Sequence, residues 1–175
     1  MSSQAEPRVL ISHKEIAVRI NQLSSEISNA YRDKNPLLIG ILKGSFMFMA
    51  DLVRVLDFPL EVDFIGLSSY GEGKESSGKV RVTHRPGSEV RDRHVLVVED
   101  IVDSGLTLAF LREYLLKKKP ASVKLCALID KPDRHQVPVT IDYLGFTVPN
   151  KFLVGYGLDW DEKYRNLPDI CVLDG

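Results

Sequence analysis

Residues 95–108 constrain the fold more than any other part of this 175-residue chain. They begin with four aliphatic residues, which predict a strand covered on both faces. The acids Glu99 and Asp100 come next, and the turn Asp-Ser-Gly-Leu-Thr at 103–107 leads into a segment with leucines at helical spacing. Because a strand, a turn and a helix are the repeating unit of α/β folds, the segment predicts a sheet with a ligand site at the carboxyl ends of its strands.

The rest of the chain repeats this alternation. Helices are predicted at 12–34, where Ser12 and Glu15 form a capping box, and at 46–55. The further strands are predicted at 37–42, 60–68, 79–85, 122–129, 140–144, 152–156 and 170–173. The order of these elements predicts a mostly parallel sheet with right-handed crossovers.

The charge and hydropathy patterns exclude several classes of protein. With 23 basic and 24 acidic residues the net charge is −1, which argues against a general binder of nucleic acids and against electrostatic attachment to a membrane. No stretch approaches the roughly 20 apolar residues that span a bilayer, so we expect a cytoplasmic protein with no membrane and no nucleic-acid partner. Cys126 and Cys171 lie in apolar runs and are expected to be core thiols.

The residues that follow the central strand are suited to a phosphorylated sugar. Because alternate strand side chains point to opposite faces, Glu99 and Asp100 can both stay solvated only at a strand end, where we expect them. The free amides at the start of the next helix, with the hydroxyls of Ser104 and Thr107, predict a phosphate cradle. Acids beside it would repel the phosphate unless they bind ribose hydroxyls, directly or through Mg²⁺. The simpler alternative is a helix with Asp103 as its N-cap.

Residues 95–108 resemble the phosphoribosyl pyrophosphate signature of the type I phosphoribosyltransferases. Other segments are similar to parts of the bacterial hypoxanthine-guanine phosphoribosyltransferases. Residues 40–52 look like the pyrophosphate loop, residues 67–78 like a flexible lid, and residues 128–132 and 142–170 like the purine-binding and metal-binding tail. These segments occur in the order of the family, and the resemblance covers the chain from about residue 37 onward.

The resemblance implies a fold and its division. The fold would be the α/β type I phosphoribosyltransferase fold, a mostly parallel central sheet flanked by helices, with a small hood lobe from the termini. We expect residues 1–175 to form a single domain. Its core would span about 35–135, its hood about 1–15 and 136–175, and a mobile lid about 69–80.

The resemblance also implies an activity and its site residues. The activity is transfer of the 5-phosphoribosyl group from phosphoribosyl pyrophosphate to N9 of hypoxanthine or guanine, with Mg²⁺ as cofactor. Asp103 would be catalytic, exchanging a proton with purine N7. The residues implied to bind phosphoribosyl pyrophosphate are Lys43, Gly44, Ser69, Tyr70, Glu99, Asp100, Asp103, Ser104, Gly105, Leu106, Thr107 and Arg165. The purine would contact Lys131, Phe152, Leu153 and Asp159, and Mg²⁺ would contact Glu99, Asp100 and Asp159.

Several alternatives stay open in the sequence. Phe152 and Trp160 could be core aromatics, and Lys131 could be a solvated lysine at a strand end. A regulator of the same superfamily that binds a nucleotide or RNA, or a transferase for another base such as xanthine, would share the fold. The resemblance further implies a homodimer or homotetramer, and it suggests a cis peptide bond between Leu42 and Lys43.

Overall fold

A six-stranded sheet forms the body of the protein in a computed structural model, which describes residues 6–70 and 79–173. Its strands are β2 (Leu37–Leu42), β3 (Glu61–Tyr70), β4 (Lys79–His84), β5 (His94–Val102), β6 (Ser122–Asp130) and β7 (Tyr143–Thr147). Their order is β4-β3-β2-β5-β6-β7, and β4 pairs antiparallel with β3 while the other neighbours are parallel. The mostly parallel sheet predicted from the sequence is confirmed.

The described residues form three α-helices, α1 (His13–Tyr31), α2 (Phe46–Val55) and α3 (Leu106–Leu116). The predicted capping box opens α1, because the Ser12 hydroxyl accepts from the Glu15 amide and the Glu15 carboxylate accepts from the Ser12 amide. The helix ends at Tyr31, short of the predicted residue 34, where the chain turns towards Asn35 with its positive φ of 42°. None of the helices in the described ranges is long and apolar enough to cross a membrane.

Two apolar layers bury the sheet on both faces. Leu38 and Leu96 face one layer together with the helices α1 and α2, whereas Leu37 and Val95 face the other layer, which Leu111 of α3 joins. All four strand residues are fully buried, as the continuous aliphatic runs of β2 and β5 predicted. This double cover holds the carboxyl ends of the two central strands in fixed positions.

A second, smaller sheet joins the two ends of the chain. Its strands are β1 (Arg8–Ile11), β8 (Leu153–Val154) and β9 (Ile170–Val172), paired antiparallel in the order β1-β9-β8. Its three strands lie in the segments that the sequence analysis assigns to the hood lobe. The sequence did not predict β1, which is a short edge strand with a partly exposed apolar pattern. The predicted strand at 152–156 keeps only two residues, because Gly155 and Tyr156 have positive φ angles of 92° and 51°.

Both cysteines are free and buried, as expected. Burial raises the pKa of Cys126 and that of Cys171, so neither thiol is an activated nucleophile.

Candidate active site

Strand β5 carries its two carboxylates into the protein instead of exposing them. It continues to Val102, and Glu99 and Asp100 are only 7% and 8% exposed. The expectation that both would stay solvated at the strand end is therefore wrong. Glu99 accepts a hydrogen bond from the Asp100 amide, and Asp100 accepts one from the Ile101 amide, so each acid is held by the backbone beside it. Burial, with the neighbouring carboxyl of Asp100, raises the pKa of Glu99 well above its usual range.

The loop after β2 closes over the carboxylates of β5. The pairing of β2 with β5 stops at Gly40 and Val98, and the peptide bond from Leu42 to Lys43 is cis, as the resemblance suggested. Gly44 then lies so close to Asp100 that a Cβ at this position would be 1.8 Å from a carboxylate oxygen. Gly44 therefore brings the backbone of this loop to within contact of Asp100.

The predicted phosphate cradle surrounds a cavity of about 200 Å³ at the start of α3. Residues 99–105, Thr107 and Leu108 line it. The N-cap of α3 is Gly105 in a left-handed conformation with φ 81°, so Asp103 is not the cap. The Ser104 hydroxyl accepts from the Leu106 amide at 3.3 Å, and the first intrahelical bond runs from Ala109 to Gly105. The first-turn amides consequently have no carbonyl partner within the helix, and amides of this kind can bind an anion.

A larger cavity of about 590 Å³ opens beside the cradle. It shares Asp100, Ile101 and Asp103 with the cradle, so the two spaces meet at the end of β5. Its walls bring together residues from the loop after β2, the segment after β6 and the tail, namely Lys43, Gly44, Lys131, Arg134, Asn150, Lys151, Phe152, Leu153, Leu158, Asp159 and Arg165. The predicted purine residues Lys131, Phe152, Leu153 and Asp159 all lie on this cavity.

Lys131 is buried, not a solvated lysine at a strand end. It follows β6, it is 8% exposed, and its Nζ donates to the carbonyl of Lys151 at 2.5 Å. Burial lowers the pKa of Lys131, the nearby Asp103 opposes the shift, and Arg134 adds to it. An ammonium group has three N–H donors, so the bond to Lys151 leaves donors for a ligand in the cavity.

Asp103 contacts a cation that the sequence analysis did not assign to the site. The Arg134 Nε lies 2.9 Å from an Asp103 oxygen, and both side chains are about half exposed at 48% and 47%. The hydrogen bond to Asp103 raises the pKa of Arg134. The short 3-10 helix Pro132–Arg134 brings this arginine back beside the strand end, and an arginine three residues after Lys131 was the available signal.

The tail packs its backbone directly on the cis-peptide loop. Gly157 has φ 96°, and a Cβ there would lie 2.1 Å from the carbonyl oxygen of Gly44. Arg165 braces the same tail, since its guanidinium donates to the Gly157 carbonyl at 2.8 Å and pairs with Asp159 at 3.0 Å. The predicted residues Asp159 and Arg165 are thus brought together with Gly44.

Glu162 was also missed by the sequence analysis. Its carboxylate contacts the Lys43 Nζ at 3.0 Å and the Arg165 guanidinium at 3.3 Å. The hydrogen bond from Lys43, together with the charge of Arg165, lowers the pKa of Glu162. The only signal in the sequence was that Glu162 is an acid within residues 142–170, the segment that resembles the purine-binding and metal-binding tail of the family. This signal did not single out Glu162.

Two aromatic residues of the tail, Phe152 and Trp160, lie at the surface. Phe152 is 52% exposed on the cavity wall and Trp160 is 47% exposed, so neither is a core residue. Leu153 is buried in β8, where its backbone pairs with β9. An exposed ring on a cavity wall offers a face on which a planar base can stack.

Ser69 and Tyr70 end β3, and Lys79 opens the antiparallel strand β4 opposite them. The ends of the predicted lid are therefore paired strands, and the rest of the lid, residues 71–78, lies outside the described residues. Ser69 does not line either cavity described above.

Comparison with known proteins agrees with this geometry. A family model for the phosphoribosyl transferase domain matches residues 10–161. The hypoxanthine-guanine phosphoribosyltransferase of Streptococcus pneumoniae is 48% identical over 166 residues, which cover 95% of this chain and 92% of that protein. The Listeria monocytogenes protein named Bifunctional protein TilS/HprT is also 48% identical, but the chain spans only 26% of its length.

A solved structure has the same fold. It is a hypoxanthine-guanine phosphoribosyltransferase from Bacillus anthracis, with a TM-score of 0.92 and 41% identity over 97% of this chain and 99% of that one. The chain therefore belongs to the phosphoribosyltransferase family and, within it, to the hypoxanthine-guanine phosphoribosyltransferases.

Proposed function

We propose that the protein transfers the 5-phosphoribosyl group from phosphoribosyl pyrophosphate to N9 of hypoxanthine or guanine, giving IMP or GMP and pyrophosphate. The observation that carries this proposal is the meeting of two cavities at Asp103. One cavity is a backbone cradle suited to a phosphate, and the other has the buried donor Lys131 and the exposed ring of Phe152. A sugar phosphate in the first cavity and a purine in the second would join beside Asp103.

The cradle binds the sugar phosphate of the donor. Residues 104–107 surround the 5′-phosphate with the first amides of α3 and the hydroxyls of Ser104 and Thr107. Glu99 and Asp100 line the same cavity and bind the ribose hydroxyls. On the other side, Lys43, Gly44 and Arg165 meet the pyrophosphate group, the first two through backbone amides and Lys43 also through its ammonium.

The acids of the site fit Mg²⁺ held jointly with the substrate. Glu99 and Asp100 are adjacent buried carboxylates, an arrangement that a divalent cation stabilises. Within residues 6–70 and 79–173, no three His, Cys, Asp or Glu side chains form a metal cluster. Mg²⁺ is usually bound by one or two carboxylates and substrate oxygens, so Glu99 and Asp100 would hold one ion and Asp159 another. When bound, Mg²⁺ neutralises the charge of the departing pyrophosphate.

The tail and Lys131 bind the base. Lys131 donates to the purine O6, Phe152 stacks on the ring, and the backbone groups of Leu153 and Asp159 contact its edge. A site built to donate to O6 selects hypoxanthine and guanine over adenine, because adenine has an amino group at that position. Both hypoxanthine and guanine satisfy Lys131, and xanthine also has an oxygen there.

The side chains of the protein promote the transfer by orienting the substrates and by stabilising the charges that develop. Breaking the C1′ bond to pyrophosphate leaves positive charge on the ribose, while Arg165 and Lys43 stabilise the departing anion. N9 then bonds to C1′ from the opposite face, and Asp103 takes the proton from N7. Ser69, Tyr70 and the rest of the lid at 69–80 exclude water during this step.

We also propose the setting in which the enzyme works. It is a cytoplasmic homodimer or homotetramer, with small-molecule substrates and without nucleic acid as a partner. Its single domain divides into the core at about 35–135 and the hood at about 1–15 and 136–175. Light scattering coupled to size-exclusion chromatography measures the assembly, and a monomer would contradict this part of the proposal.

An assay across a panel of bases tests the function. Purified protein is mixed with phosphoribosyl pyrophosphate, Mg²⁺ and one of hypoxanthine, guanine, xanthine or adenine, and the nucleotide product is measured by chromatography. We expect turnover with hypoxanthine or guanine, little with xanthine, none with adenine, and loss of turnover with a chelator. No turnover with either hypoxanthine or guanine would contradict the proposal. An RNA gel shift without transferase activity would instead favour a regulator.

A further inference from the structure

Glu162 lies where an anion should bind. Its carboxylate is 3.0 Å from the Lys43 ammonium and 3.3 Å from the Arg165 guanidinium. Lys43 follows β2 and Arg165 belongs to the tail, so the carboxylate joins two cations that the fold brings to one edge of the large cavity. Under the proposed function these two cations receive the pyrophosphate group of the donor.

The backbone holds Glu162 in an unfavourable conformation at this position. Trp160 and Lys163 exchange two backbone hydrogen bonds of 3.1 and 3.0 Å, and the two residues between them form a tight hairpin turn. Asp161 and Glu162 both have positive φ, at 52° and 61°. This geometry matches the type I′ turn, whose second central position strongly favours glycine. A glutamate at this position therefore destabilises the turn relative to glycine, which points to a role for the side chain of Glu162.

Glu162 is not needed to position Arg165. The guanidinium of Arg165 already donates to the Gly157 carbonyl at 2.8 Å and pairs with Asp159 at 3.0 Å. The pair between Lys43 and Glu162 is open to water, since the two side chains are 66% and 64% exposed. An exposed pair of this kind is weak, so an anion with several charges can displace it.

We propose that Glu162 is an internal competitor for the diphosphate group, with its carboxylate bound between Lys43 and Arg165 until pyrophosphate or the donor displaces it. The inference rests on the proposed function, because it assigns those two cations to the diphosphate. Competition by Glu162 weakens the binding of pyrophosphate and therefore speeds its release after transfer. The turn at residues 160–163 presents the carboxylate, and only the side chain has to move.

Calorimetric titration of pyrophosphate in the presence of Mg²⁺ tests the inference on the full chain. Glu162→Gln removes the charge and keeps the length of the side chain, so we expect binding to become two- to fivefold tighter, which is the size of effect that weak, exposed ion pairing has. Product inhibition by pyrophosphate should strengthen by the same factor. Asp161→Asn is the matched control, because this neighbouring acid lies in the same turn and is 82% exposed beside Lys163. We expect no change in its affinity for pyrophosphate.

Glu162→Gly provides a second, independent variant. Glycine fits the left-handed position, so the variant should fold with an undiminished melting temperature and bind pyrophosphate at least as tightly as Glu162→Gln. Unchanged or weaker binding in both variants would overturn the inference and make Glu162 a supporting residue. If the wild-type protein bound pyrophosphate and made nucleotide, that result would leave the proposed function intact. A wild-type protein that bound no pyrophosphate would overturn both.

Discussion

The cradle and the tail build the two halves of the site in different ways. Residues 99–107 run from a strand buried on both faces into a regular helix, and the irregular backbone between them is a single turn with one left-handed glycine. Residues 155–165 include only isolated bridges, and six of them have positive φ, namely Gly155, Tyr156, Gly157, Asp161, Glu162 and Tyr164. The cradle is therefore fixed by secondary structure, whereas the tail depends on close contacts of an irregular segment.

The largest expected effect is at Asp103, which lies between the two halves. Asp103→Asn keeps the size of the side chain and removes the proton acceptor, so we expect kcat to fall by roughly 10² or more. Binding of phosphoribosyl pyrophosphate should change much less. Steady-state kinetics with hypoxanthine measures both, and Asp133→Asn, in the exposed turn after Lys131, is the control. An unchanged kcat would remove Asp103 from the catalytic role.

A smaller effect is expected where the tail touches the loop. Gly157→Ala combines a left-handed backbone with a Cβ placed 2.1 Å from the Gly44 carbonyl, and we expect a loss of about 1–3 kcal/mol in the free energy of unfolding. Affinity for the base should fall with it, because the tail would shift. Gly87→Ala is the matched control, since a Cβ there meets nothing within 4 Å. Denaturant unfolding that gave equal stability for the two variants would refute the close-contact explanation.

The smallest effect concerns the joint between the tail and α1. Asp169 accepts hydrogen bonds from the amide and Nδ1 of His13 at 2.6 and 2.8 Å, and the backbone bond lowers the pKa of Asp169 below its usual 3.8. A carboxyl whose pKa is lower in the folded state than in the unfolded state stabilises the fold at pH values above its unfolded-state pKa. This stabilisation is lost as the pH falls through the folded-state pKa. We therefore expect Asp169→Asn to lower the melting temperature slightly near neutral pH and to have no effect in strong acid.

Thermal melts of both proteins across the pH range measure this difference. If the difference in melting temperature between wild type and Asp169→Asn stayed constant down to about pH 2, the stabilising role of the Asp169 carboxylate would be contradicted. The carboxyl would then not be the titrating partner.

The contrast between the halves also explains what the sequence could predict. The bounds of β2 and α2 and the capping box of α1 follow from local patterns, and the structure has them as predicted. The burial of Glu99 and Asp100 could not be predicted in this way. It depends on β5 extending past the end of its pairing with β2 and on Gly44 packing against Asp100, which are contacts between distant parts of the chain.

The contacts between the side chains of the site could not be predicted from the sequence either. Arg134 meets Asp103 because a short helix turns back to the strand end, and Glu162 meets Lys43 through a turn whose residues are not those that such a turn favours. Local preference argues against a left-handed glutamate, so only the tertiary structure shows where its carboxylate lies. The family motifs identified the segments of the site but not these contacts.

The central claim is that the sugar phosphate and the base are bound by different halves of the site. Calorimetric titration of phosphoribosyl pyrophosphate and of GMP, each with Mg²⁺, into Thr107→Val and Lys131→Met tests it directly. Thr107→Val removes a cradle hydroxyl, so both ligands should bind about tenfold more weakly, whereas Lys131→Met removes the donor to O6 and should weaken GMP by about tenfold alone. If Lys131→Met weakened phosphoribosyl pyrophosphate as much as GMP, the claim would be contradicted.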